Sequence, residues 1–88
     1  MEYENIHHIT FLVRMEINQY ASTIKAYQTR KDTWKDPDTC EKYFRSMNKN
    51  EDFIDAAIAF LASNGTPLEK RLITRYEHYQ DLRANVID

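Results

Sequence analysis

Three histidines and one cysteine are the side chains here best suited to hold a metal or act as nucleophiles. His7 and His8 follow Glu4, which gives one Glu-x-x-His spacing, the unit that di-iron helical bundles use twice. No second copy follows further along the chain, and a structural metal site asks for about four ligands. Solvated histidines near a helix start are therefore the better reading, and the isolated His78 is read the same way. Cys40 falls on an apolar stripe, where a cysteine serves as a small buried hydrophobe, and no neighbour marks it as an activated thiolate. Catalysis needs a nucleophile beside a base, or an acid–base pair held in a cleft, and no motif gathers such groups. The expectation is a non-enzyme without metal or cofactor.

One other cluster bears on ligands. Tyr27, Arg30, Lys31, Trp34 and Lys35 gather aromatic and basic groups, a mixture able to stack on a base and neutralise phosphate. This is the basis of an alternative function, binding or sequestration of a nucleotide or nucleic acid. Against it, Tyr27 and Trp34 can close the end of a hydrophobic core while the cations sit at the negative end of a helix dipole. A helix-turn-helix would turn Lys70, Arg71 and Arg75 toward DNA, but Glu69, Glu77 and Asp81 on the same stretch dilute that field.

The elements that carry these residues follow from periodicity. Ile6, Ile9, Val13, Ile17, Tyr20, Ile24 and Tyr27 recur at three and four, which predicts one long amphipathic helix from about Glu4 to Lys31. Asp36 and Pro37 suit an N-cap and first helical position, with Asp38 in the first turn, and predict a second helix carrying Cys40, Tyr43, Phe44 and Met47. Asn48-Lys49-Asn50 is read as its end, with Asn50 capping a third. That third stretch, Phe53 to Ala62, is apolar on nearly every side and holds four alanines, so it is expected to be the buried centre of the domain, with Ala57, Ile58 and Leu61 facing other helices. Ser63-Asn64-Gly65 places the single glycine where a left-handed residue is wanted. Thr66-Pro67-Leu68-Glu69 has the form of a capping box and opens a fourth helix to about Ala84, with Leu68, Leu72, Tyr76, Tyr79 and Val86 on one face. The sequence therefore predicts an all-α fold: a compact four-helix bundle-like domain spanning residues 1–88, with a long first helix and a buried Ala-rich third.

Composition limits the class of function. Fourteen acids and twelve bases, giving a net charge of −2 and interleaved along the chain, disfavour both a general nucleic-acid binder and an acidic DNA mimic. The lone cysteine, the want of a secretion-signal pattern and the lack of an apolar run of about 20 residues lead to the expectation of a cytoplasmic protein that does not enter membranes. A domain of 88 residues buries only about two thirds of the surface its unfolded chain exposes, so its stability margin is expected to be thin and a partner would help. The long first helix supplies a place for one. At about 100° per residue, Phe11 and Met15 point away from its core stripe, with His8 and Leu12 beside them. These four residues are the expected protein interface, for another protein or a second copy in a homo-oligomer. The function expected is a non-catalytic regulator or inhibitor acting through helix surfaces, of the kind that phages and mobile elements carry.

Overall fold

A computed structural model of the chain describes residues 2–30 and 37–87. These residues fold as an all-α structure with three helices: α1 (Glu2–Arg30), α2 (Pro37–Ser63) and α3 (Lys70–Ile87). Backbone composition accounts for the long helices. The one glycine and both prolines of the chain stand at Gly65, Pro67 and the first residue of α2, so no helix interior carries either residue.

The chain runs up, down and up. α1 packs along both other helices and is the element around which the rest is organised. Tyr27 of α1 meets Phe44 near the start of α2, with ring centroids 5.0 Å apart, while Ile9 and Leu12 lie beside Phe60 near its end. α1 and α2 are thus antiparallel. Arg14 lies near Glu69 just before α3, Asn18 bonds Arg75, and Lys25 stands over the Tyr79 ring, so α3 runs parallel to α1.

The stripe expected of the first helix is the core. Val13, Ile17, Tyr20 and Ile24 are fully buried, as are Met47, Ile54 and Leu61 of α2, and Leu68, Leu72 and Tyr76 close the third side. Burying each large aliphatic side chain contributes about 1.5–3 kcal/mol before conformational entropy is charged against it.

Four expectations are corrected. The predicted second and third helices are a single helix, because the apolar phase Met47, Asn50, Ile54, Ala57, Leu61 passes through residues 48–50 without a shift. The asparagines that favour a local break find distant partners instead: Asn50 Nδ2 donates to Glu16 Oε2 at 2.5 Å, and Asn48 Oδ1 accepts from Arg83 at 2.8 Å. The Ala-rich stretch is only half buried. Ala57 and Leu61 face α1 and Ile58 is partly covered, but Phe53, Ala56, Ala59, Phe60 and Ala62 are exposed. The capping box does not form either. The Thr66 hydroxyl donates to the Asn64 carbonyl, the Glu69 carboxylate turns toward Arg14 and Arg71, and the carbonyl of Glu69 accepts the first bonds of α3. Finally, α3 continues to Ile87 and buries Val86, past the predicted fraying point.

The expected stop at Gly65 is present. Its φ is +74°, its amide donates to Ala62 O at 3.1 Å, and the Thr66 amide donates to Leu61 O at 3.0 Å, the paired bonds of a Schellman cap.

Candidate interaction surface

α1 presents three kinds of surface because its residues rotate by about 100° per position. One flank carries Arg14, Asn18 and Lys25, all engaged with α3 or the joint before it. The buried stripe comes next. Ile9 and Leu12 follow on the other flank, beside α2, and Phe11, Met15 and His8 project from the outer side. Phe11 is 56% exposed and Met15 52%, His8 is exposed, and Leu12 is half-buried.

α2 adds to the same end of the molecule. Phe53 and Phe60 are 37% and 48% exposed, and with Ala56 and Ala57 they face Ile9 and Leu12 across a groove of about 230 Å³. The four large apolar side chains that stand exposed among the described residues therefore all come from the N-terminal half of α1 and the C-terminal half of α2, which lie side by side. Leu12 stands between the two pairs on the helical wheel. A second and larger groove, about 530 Å³, opens on the α3 side of α1, where Ile6, Thr10, Phe11 and Arg14 face Pro67 and Leu68. Of the apolar residues at this end, sequence periodicity singled out Phe11, Leu12 and Met15. It missed Phe53 and Phe60, whose exposure depends on which side of α2 is covered.

Of the basic-aromatic cluster, Tyr27 and Arg30 lie among the described residues, one turn apart at the end of α1. Tyr27 is half-buried with its ring tilted at 50° against Phe44, so it closes the core. Arg30 is exposed in the last turn of α1. Lys31, Trp34 and Lys35 lie outside the described residues, as do Asp36 and the side chain of Glu4. His7 and His8 are exposed, and His78 stands edge-on to Tyr79 with centroids 5.4 Å apart. Cys40 is half-buried on the stripe of α2. Among the described residues, no three His, Cys, Asp or Glu side chains come together as a metal ion would require, and no helix is long and apolar enough to cross a membrane.

A polar cluster crosses the middle of the bundle. Glu51 of α2 accepts from Tyr20 at 2.7 Å and is gripped by Arg83 of α3, while Tyr76 donates to Asp55 at 2.8 Å. Burial first, then the adjacent carboxylates, push both tyrosine hydroxyls far above their ordinary pKa of 10.0; Arg83 opposes this at Tyr20 without reversing it. Each hydroxyl is thus a fixed neutral donor. The cluster ties all three helices together.

No known protein family, curated protein or solved structure matches the chain.

Proposed function

We propose that this protein acts by contact, as a non-catalytic cytoplasmic regulator or inhibitor that binds another protein through the end of the bundle bearing His8, Phe11, Leu12 and Met15. The observation that carries this reading is the gathering there of Phe11, Met15, Phe53 and Phe60, all exposed. Phenylalanine and methionine are enriched in the buried centres of interfaces, and an apolar patch collected at one end of a small domain marks a binding site more strongly than scattered exposure does. The grooves on either side of α1 give such a surface relief, which favours specific docking over loose adhesion.

The test is capture from the native host followed by mass spectrometry, with wild-type protein compared against Phe11→Glu combined with Met15→Glu. A partner retained by the wild type and lost by the folded double variant supports the reading. Identical capture by both proteins rejects it. In the nucleotide alternative, Tyr27 packs one side of its ring against Phe44, and binding draws on Arg30, Lys31, Trp34 and Lys35 beside it. Titration with a labelled single-stranded oligonucleotide tests it. Binding that weakens steeply with added salt is its signature, because phosphate contacts release counterions.

A further inference from the structure

Asn64 and Gly65 form an Asn-Gly pair in the joint between α2 and α3, and both are exposed. In such a pair the backbone nitrogen of the glycine can attack the side-chain carbonyl carbon of the asparagine, because glycine brings no side chain against the closing ring. Every other asparagine of this chain is followed by a residue that does. The attack begins with loss of the Gly65 amide proton to base, the same step that limits hydrogen exchange, and a bonded amide reaches that step only when its bond opens. The joint holds both reacting groups in such bonds. The Gly65 amide donates to Ala62 O at 3.1 Å, and Asn64 Nδ2 donates to Phe60 O at 2.8 Å, which folds the side chain back along α2. The Thr66 amide, bonded to Leu61 O at 3.0 Å, closes the cap from the far side, and Leu61 itself is fully buried.

We propose that Asn64 is a site of spontaneous covalent modification, deamidation to aspartate and isoaspartate, which the cap at the end of α2 suppresses and which opening of that cap releases. The reaction balances with water alone. The Gly65 nitrogen gives up its proton and bonds to Asn64 Cγ, the Cγ–Nδ2 bond breaks, and ammonia leaves behind a succinimide ring. Water then opens either carbon–nitrogen bond of the ring. Opening at Cγ gives aspartate; opening at the main-chain carbonyl gives isoaspartate, whose backbone runs through Cγ and is one atom longer. Either product undoes the arrangement that guarded the asparagine. A carboxylate has no proton to donate to Phe60 O, and it sets a negative charge at the negative end of the α2 dipole, where no basic residue stands in the last turn. Isoaspartate also lengthens the chain between Leu61 and Thr66, whose bond closes the cap. The modified joint is therefore looser, and with it the wall that Thr66, Pro67, Leu68 and Glu69 set against α1 across the larger groove.

Peptide mapping by mass spectrometry follows the conversion at each asparagine when the full-length protein is incubated at mildly alkaline pH, with and without denaturing urea. In the denatured chain Asn64 is expected to convert first, to a mixture of aspartate and isoaspartate. In the folded chain it should convert at least about tenfold more slowly, and urea added below the unfolding transition should raise that rate in step with hydrogen exchange of the Gly65 amide. Asn64→Asp should melt below Asn64→Gln, which also changes the side chain but adds no charge, while circular dichroism shows both variants folded. Equal rates in folded and denatured protein would overturn the inference, as would faster conversion of another asparagine in the denatured chain. So would a folded-state rate that ignores Gly65 exchange, or an Asn64→Asp protein as stable as Asn64→Gln. None of these outcomes depends on a partner, so the contact function proposed above stands or falls separately.

Discussion

Tyr20 and Tyr76 show how single residues set the conditions under which this fold persists. Each hydroxyl is buried against a carboxylate, so the folded state holds its proton more tightly than the unfolded chain, whose tyrosines titrate near 10.0. The stabilisation is complete below that value and is lost as pH rises beyond it, since only the unfolded chain can then release the protons. The melting temperature should fall between about pH 10 and 12, and it should fall less in the Tyr20→Phe, Tyr76→Phe double variant. Parallel alkaline profiles for the two proteins would show that neither hydroxyl is held this way. Nothing in the sequence announced this cluster. Tyr20 was legible as a member of the core stripe, but its acceptor Glu51 lies 31 positions away and Asp55 lies 21 from Tyr76. Such pairings are set by how helices align, and local periodicity carries no information about that alignment.

At the scale of the element, α2 separates what propensity controls from what packing controls. The glycine stop was legible because a left-handed residue needs glycine whatever the surrounding structure. A Cβ at Gly65 would touch nothing within 4 Å, so Gly65→Ala should cost only the backbone strain of a positive φ, about 1 kcal/mol by denaturant titration. A substantially larger loss would mean that the joint also makes contacts of its own. The supposed break at residues 48–50 misled for the opposite reason: asparagine is a weak helix former, but a few tenths of a kcal/mol per residue is outweighed by Asn50 bonding Glu16 and by the unbroken apolar phase on either side. All-round apolarity likewise hid which side of residues 53–62 is covered. Ala57 faces α1 and Ala59 faces outward. Ala57→Leu should therefore cost about 1–3 kcal/mol through overpacking, whereas Ala59→Leu should stay within about 0.5 kcal/mol of wild type. Equal effects at the two positions would contradict the packing of α2.

The molecule as a whole is a rod, 48 by 21 by 16 Å, with a radius of gyration of 14.6 Å where a compact domain of its length has about 12 Å. Three helices of 29, 27 and 18 residues stand side by side, and α1 is the one that packs on both others, so among the described residues the side of the α1–α2 pair away from α3 has no further helix on it. That geometry explains why Phe11, Met15, Phe53 and Phe60 remain exposed in a domain whose core is otherwise closed. It also implies that they contribute little to folding. About half of each of Phe11, Met15 and Phe60 is already reached by water, so replacing them together by glutamate should cost far less than truncating a fully buried side chain. The triple variant should keep its helical circular dichroism and melt within several degrees of wild type, while losing whatever association the wild type shows in sedimentation or partner capture. Ile17→Ala provides the contrast. That side chain is fully buried, and its truncation should cost about 2–5 kcal/mol and lower the melting temperature sharply. If the triple variant instead unfolds as readily as Ile17→Ala, the apolar end belongs to the core and the rod has no free face to offer a partner.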